Sequence, residues 1–295
     1  MFEPATALQM LKEQNVDAAM RYTLDGLAET RKERPYRWIR DLAEDRGGRE
    51  LIELLRQNPY AAWGYRKPRG YAGDAVLYDH MYGLVTLPDD TTELGRAMYD
   101  WCRKNSVVFH SVNAHRQRLA DAIDSACRQF PESTIVAFAC GHMREAELSD
   151  CVRAGQANVI AVDPDALNLQ VVTSRLGQYG VRTFQGTPSD ALQWRLPFRH
   201  CSLVYAPNMA HFLPDNMLES LLHAMAQWLR PGGTLLLPSL APGQEAGYME
   251  AVLELTLRYR QCPQLLRLAR GIPATDVSCT QDCDESCYLR IERQV

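Results

Sequence analysis

Apolar residues recur at helical spacing through the first 57 positions of the chain. Leu8, Leu11, Val16, Met20, Leu24 and Leu27 form one stripe; Trp38, Ile39 and Leu42, then Leu51, Ile52, Leu54 and Leu55, repeat it. The charged run Arg31-Lys32-Glu33-Arg34-Pro35 reads as a solvated turn between helices. At Asn58-Pro59 a helix ends and the character changes. The stretch from Trp63 to Asp74 mixes glycines, prolines, aromatics and cations, which makes no regular element. A short helix over 77–83 and one or two more over 92–129 are expected next. From Thr134 the period changes again, and short apolar runs alternate with helical segments. Strands are expected at 134–138, 158–162, 181–185, 202–205 and 234–237, with helices at 144–153, 166–176, 215–229 and 248–259. Residues 276–293 fit two strands joined by a turn at 282–284.

Strands alternating with helices argue an α/β fold with a doubly wound, mostly parallel sheet and right-handed crossovers, closed by an antiparallel edge. The helical part, 1–130, is expected as a cap carrying a covering loop; 131–295 is the sheet domain. A length of 295 residues and 46% hydrophobic content allow a full core. The net charge of −4 gives no electrostatic case for nucleic acid. No apolar run approaches membrane-spanning length and no leader pattern is seen, so a cytoplasmic protein without a membrane partner is expected. A homodimer is compatible with the sequence, which leaves the oligomeric state open. The nine cysteines are expected to be mostly buried thiols.

Candidate chemistry centres on Thr134–Leu148, T-I-V-A-F-A-C-G-H-M-R-E-A-E-L, and on the run Val159–Val162 that ends at Asp163. A strand, a turn of small residues, a helix and a second strand ending in an acid form a nucleotide half-site. Small residues let the turn approach a ligand, and an acid at the next strand tip can accept both ribose hydroxyls. A dinucleotide site wants G-x-G-x-x-G for its diphosphate. Here the turn has one glycine, Gly141, so a ligand without phosphates fits better.

Taken together, Ala139-Cys140-Gly141, Asp163, Ser189-Asp190 and Pro231-Gly232-Gly233 resemble the motifs of class I S-adenosylmethionine-dependent methyltransferases. The pairing of A-C-G-H-M-R-E with K-P-R-G-Y-A-G-D is similar to a narrower bacterial group with an N-terminal helical cap, related to 3-hydroxy fatty acid methyl ester synthases. Two departures stand out: Phe138 where an acid or polar residue often opens the first motif, and the thinned glycines. The resemblance implies a Rossmann-like, seven-stranded domain with S-adenosylmethionine as cofactor and a small-molecule substrate. Asp163 would take the ribose hydroxyls, with Pro164 and Asp165 flanking the adenine and Ser189 and Asp190 at its amino edge. Ala139, Cys140 and Gly141 would pass under the methionine tail, near Tyr205 and Ala206. Arg69 or Arg116 would pair with its carboxylate, and Tyr71, Tyr78 or Tyr82 would face the sulfonium.

The expected activity is methyl transfer to a small, partly apolar acceptor through a carboxylate or hydroxyl oxygen. His211 is the base candidate and Asn208 the orienting hydrogen-bonder, at the exit of the fourth strand, with Tyr78 and Tyr82 beside the reacting centre. The alternatives are attack by the cofactor's own amine, releasing methylthioadenosine and closing azetidine-2-carboxylate, or a non-catalytic scaffold. Cys279, Cys283 and Cys287 are spaced C-x3-C-x3-C, but on a hairpin they fall on opposite arms and the turn, so ordinary thiols are expected and no metal.

Overall fold

A computed structural model describes residues 2–281 and 286–294; the turn expected at 282–284, with Cys283, lies outside the described residues. The chain divides into two compact units, residues 1–112 with 242–257, and residues 113–241 with 258–295. The boundary therefore falls earlier than residue 130, and a later segment returns to the first unit.

The first unit is helical: α1 (Pro4–Lys12), α2 (Val16–Glu33), α3 (Trp38–Glu44), α4 (Arg46–Leu55), α5 (Pro59–Arg66), α6 (Ala75–Tyr82) and α7 (Glu93–Asn105). Helices α4 to α7 each start at a side-chain cap. Asp45 accepts from the Gly48 amide at 2.6 Å, Asn58 from Tyr60 at 3.1 Å, Asp74 from Leu77 at 2.9 Å and Thr92 from Gly95 at 3.0 Å. Asn58-Pro59 thus begins a helix as well as following one, and Trp63 to Arg66 are helical rather than loop. The Trp63 indole N–H reaches both carboxylate oxygens of Asp74 at 3.0 Å, which ties the connection between α5 and α6. Most of the apolar stripes bury: Leu8, Leu11, Met20, Leu24, Leu27, Trp38, Leu42, Leu51 and Leu55 form core, whereas Ile39 is exposed and Val16, Ile52 and Leu54 are half-buried.

The long helix α8 (Val107–Gln129) leads into the second unit. There follow β1 (Thr134–Phe138), α9 (Asp150–Arg153), β2 (Asn158–Asp163), α10 (Ala166–Leu176), β3 (Arg182–Gln185), α11 (Pro188–Leu192), β4 (Cys201–Tyr205), α12 (Asp215–Ala226) and β5 (Leu229–Leu240). Helix α13 (Ala246–Val252) belongs to the first unit, where Glu250 holds Arg31 of α2 at 2.8 Å. Then come α14 (Cys262–Leu268), β6 (Ala274–Gln281) and β7 (Ser286–Arg293).

The sheet has seven strands in the order β3-β2-β1-β4-β5-β7-β6. The first five are parallel, and β7 runs antiparallel to both β5 and β6. Alternate residues of β1 enter opposite cores. Val136 and Phe138 join one cluster with Trp228, while Ile135 and Ala137 join the other. This is the doubly wound sheet the sequence leads one to expect. Among the described residues no helix is long and apolar enough to cross a membrane.

Two local differences have clear causes. The P-G-G expected as a turn before the fifth strand lies within β5. A side chain at Gly233 would stand 2.6 Å from the Cys201 carbonyl oxygen, so only glycine permits this approach of β5 to β4. The helix expected at 144–153 shrinks to α9. Ala139, Gly141 and Met143 all take left-handed backbone, at φ of 51°, 57° and 53°, and the chain coils instead of entering a helix. A helix starts only where the Ser149 hydroxyl caps the Val152 amide at 3.1 Å.

Candidate cofactor site

Strand order reverses between β1 and β4: β1 connects outward toward β2 and β3, and β4 outward toward β5. Open α/β sheets bind ligands in the crevice at the carboxyl ends of such a pair. The residues there are Ala139–Gly141 after β1, Asp163 at the tip of β2, and Tyr205 and Ala206 at the end of β4. The structure brings together these expected residues of the second unit. Arg69, Tyr71, Tyr78 and Tyr82 belong to the first unit, so the site described here is built without them.

Asp163 organises the crevice. One carboxylate oxygen accepts from the Gly141 amide at 2.8 Å; the other accepts from the Asp165 amide at 2.9 Å and the Asn168 side-chain amide at 3.1 Å. The Cys140 amide meanwhile donates to the Val162 carbonyl at 3.1 Å, so the turn after β1 is sewn to the tip of β2. Asp163 is 5% exposed, and burial pushes its carboxyl above the ordinary range against the pull of these donors. A carboxylate offers about four acceptor positions. Three are used within the protein, which leaves capacity for one ribose hydroxyl, not the two expected from sequence.

Other expected residues also bind within the protein itself. Asp190 closes a capping box on α11: its carboxylate accepts from the Thr187 amide at 2.9 Å and hydroxyl at 2.6 Å, while Thr187 accepts from the Asp190 amide at 3.1 Å. The T-x-x-D spacing carried that signal. Ser189 is exposed on the same helix and accepts from Gln193 at 3.1 Å. Asp165 caps α10 through the Leu167 amide at 2.9 Å, and the Pro164 carbonyl accepts from Gln185 at 3.1 Å. Asp190→Ala is expected to lower stability modestly, because the reciprocal bonds of the capping box are lost. Urea denaturation checks this, and a fall in cofactor affinity without a matching loss of stability would return Asp190 to the adenine edge.

His211 sits on a short 3-10 turn, Ala210–Phe212, and is wholly buried. Burial, with the Arg260 guanidinium nearby, pulls its pKa down to about 3. An imidazole so weakly basic is poorly matched to deprotonating a hydroxyl at neutral pH. Asn208 is partly buried on the loop after β4.

Sequence reasoning missed Glu145. It is 2% exposed, and its carboxylate accepts from the Tyr205 hydroxyl at 3.0 Å. Burial pushes it up to about 7, with the Tyr205 hydrogen bond and the charge of Arg116 on α8 acting in the opposite sense. Arg116 therefore has an acid of the protein near it, in addition to any ligand carboxylate. The same surroundings raise the Tyr205 phenol and the Cys140 thiol well above their usual values, burial first in each case. The missed signal was Glu145 inside A-C-G-H-M-R-E, an acid one turn past the glycine.

Glu145 also sets a pH dependence. Its folded value lies above the ordinary 4.5, so its contribution is fully present below pH 4.5 and is lost as the pH rises to about 7. Glu145→Gln keeps an acceptor for Tyr205 and removes the buried charge. The variant is expected to match the parent at pH 5 and to exceed it at pH 8, by on the order of 3 kcal/mol. Urea melts at the two pH values decide this.

Residues 135–233 match the profile of a methyltransferase domain family. The sheet has the fold of a methyltransferase. Solved structures agree on that fold. An exported-protein candidate from Bordetella parapertussis aligns with 15% identity and a TM-score of 0.60, over 86% of this chain and 85% of its own. The CurJ carbon methyltransferase aligns with 13% identity and a TM-score of 0.57, over 95% and 84%. An O-methyltransferase family protein from Burkholderia thailandensis gives 15% identity and 0.52, over 82% and 72%. No curated protein matches the sequence. The methyltransferase domain supports S-adenosylmethionine as the cofactor, and the crevice fits it in kind. A one-glycine turn held by a carboxylate offers little to a diphosphate, whereas Asp163 retains room to accept from a sugar hydroxyl.

Proposed function

We propose that the protein is an S-adenosylmethionine-dependent methyltransferase acting on an oxygen of a small, partly apolar acceptor. The observation that carries the reading is Asp163 at the β2 tip, bonded to the Gly141 amide within a methyltransferase-domain match. In this reading Asp163 accepts from one ribose hydroxyl. The turn Ala139–Gly141 lies under the methionine tail, and Arg116 supplies positive charge for its carboxylate. Arg69 and Tyr71 remain candidates for the cofactor, and Tyr78, Tyr82 and Asn208 for the acceptor.

The bound cofactor supplies an activated methyl group on a sulfonium. The protein's task is then to hold the acceptor oxygen in line at near-contact distance, from which much of the rate gain arises. A carboxylate is already anionic at neutral pH and needs no base. This suits a site whose expected base, His211, is so weak. A carboxylate acceptor is therefore preferred over a hydroxyl, and the domain match favours methyl transfer over ring closure of the cofactor.

Incubation of the protein with S-adenosylmethionine, alone and with fractionated small-molecule extract, tests this. Transfer of labelled methyl to an extract component, base-labile as an ester, with release of S-adenosylhomocysteine, is expected. Methylthioadenosine formed without extract would overturn the reading in favour of the cyclase, and absence of cofactor binding would overturn both.

A further inference from the structure

The three cysteines that the methyltransferase reading leaves unused come from three separate elements. Cys262 opens α14, Cys279 lies on β6 and Cys287 on β7. In the β6–β7 ladder Gln281 stands opposite Cys287 and Cys279 opposite Leu289. Cys279 and Cys287 are therefore diagonal neighbours on one face of the sheet, since residues two apart on a strand point the same way. Helix α14 packs against this hairpin, so its first residue brings a third sulfur to the same place. The three sulfur atoms all lie within 4.8 Å of one another. Cys262 and Cys279 are joined as a disulfide, with Cα atoms 5.4 Å apart. Of the nine cysteines expected to be mostly thiols, Cys262 and Cys279 are thus a bonded pair, and Cys283 lies outside the described residues.

Two properties set this cluster apart from ordinary core thiols. The sulfurs converge from a helix and two strands, so their spacing is fixed by the tertiary fold and not by a loop. Cys287 is wholly buried, whereas Cys262 and Cys279 are only partly so. Solvent, a reductant or an ion can reach the outer pair, while the inner sulfur stands in an apolar cluster with Leu265, Leu289 and Ile291. Sulfurs bound to one zinc ion at about 2.3 Å in a tetrahedron stand roughly 3.8 Å apart. The Cys287 sulfur needs to approach the other two by no more than about 1 Å to reach that spacing, while the bonded pair separates to it once reduced.

We propose that Cys262, Cys279 and Cys287, once the disulfide is reduced, form a three-thiolate site for one thiophilic metal ion such as zinc. Reduction takes two electrons and two protons from a dithiol, which becomes a disulfide, and leaves Cys262 and Cys279 as thiols. Binding then forms three metal–sulfur bonds and releases the three thiol protons, with water as the fourth ligand. Three thiolates select soft or borderline ions over magnesium or calcium. The ion would fasten the start of α14 to the edge hairpin of the sheet, in the same place as the disulfide. The site has two closed forms, oxidised and metal-bound, and an open reduced form between them.

The test uses the full chain in a Cys283→Ser background, so that no sulfur outside the described residues contributes. The reduced protein is titrated with cadmium under argon, and the thiolate-to-metal charge-transfer band is followed. One equivalent is expected to saturate the band. The oxidised protein should lack it, and Cys262→Ser, Cys279→Ser and Cys287→Ser should each weaken binding at least tenfold. Because a serine variant can misfold, alkylation of the unmutated reduced chain gives a second measurement. One equivalent of zinc should protect Cys262 and Cys279, the two cysteines of the cluster that solvent reaches, together against the reagent, as read by mass spectrometry. A band that Cys287→Ser leaves unchanged, or zinc that protects no cysteine, would overturn the proposal and leave a plain disulfide.

Discussion

Asp163→Ala is expected to abolish measurable S-adenosylmethionine binding and to destabilise the second unit by on the order of 4 kcal/mol. The carboxylate is bonded by the Gly141 and Asp165 amides and by Asn168. Removing it leaves these donors without their acceptor at a site that is nearly sealed. A buried donor left unsatisfied costs about 1–3 kcal/mol, and the solvent that enters the vacated space recovers part of this. The affinity loss, at least about 100-fold, corresponds to roughly 2.7 kcal/mol. It has two sources, the lost ribose contact and a turn no longer held against β2. Asp163→Asn separates them. Its amide keeps one oxygen but turns an NH2 toward a donor, so stability should fall partway while the acceptor for ribose is halved. Calorimetric titration and thermal melts check both variants. Unchanged affinity in Asp163→Ala would show that the cofactor lies elsewhere.

The second unit is also expected to be acid-labile well before its exposed carboxylates lose their charge. His115 is 1% exposed with Nε2 3.0 Å from the Ser286 hydroxyl, and its ring meets Tyr288 edge-on at 5.3 Å. Burial, followed by the charges of His211 and Arg118, takes it down to about 3, and His211 falls to the same value. A depressed histidine contributes stability that is present above the ordinary 6.5 and is lost as the pH falls toward 3. The unfolded chain takes up these two protons before the folded one does. Each costs about 1.4 kcal/mol per pH unit over that window. Glu145 works in the opposite direction between pH 7 and 4.5, since folding there favours its protonation. The net loss should be near 1.4 kcal/mol per unit from pH 6.5 to 4.5 and about twice that below. His115→Gln, which stays neutral, should halve the histidine part of the slope. A stability profile flat between pH 6.5 and 4 would show that these rings are hydrated.

Where sequence reasoning succeeded, the information was local and periodic. The period of 3.6 in the first 57 residues and the strict strand–helix alternation after Thr134 each follow from which face must be buried. Strands β1, β2 and β4 fell within a residue of their expected ends. It failed where a polar side chain had a choice of partner. Asp190 could serve a ligand or its own helix, and geometry gave it to Thr187. Arg144–Leu148 has good helix formers, yet left-handed residues at 139, 141 and 143 spend the turn on reaching β2. His211 looked like a base because a sequence does not show burial, and burial is what removes its basicity.

The sequence by itself determined the doubly wound sheet, the acid at the tip of β2 and the absence of a phosphate-binding turn, because each depends on residues within a few positions of one another. Tertiary structure alone decided how Asp163 divides its acceptor capacity between the protein and a ligand. It alone paired Glu145 with Tyr205, 60 residues away along the chain. It also gathered Cys262, Cys279 and Cys287 from a helix and two strands. In each case a buried polar or sulfur atom takes whichever partner packing brings within reach, and that choice is made by the fold as a whole.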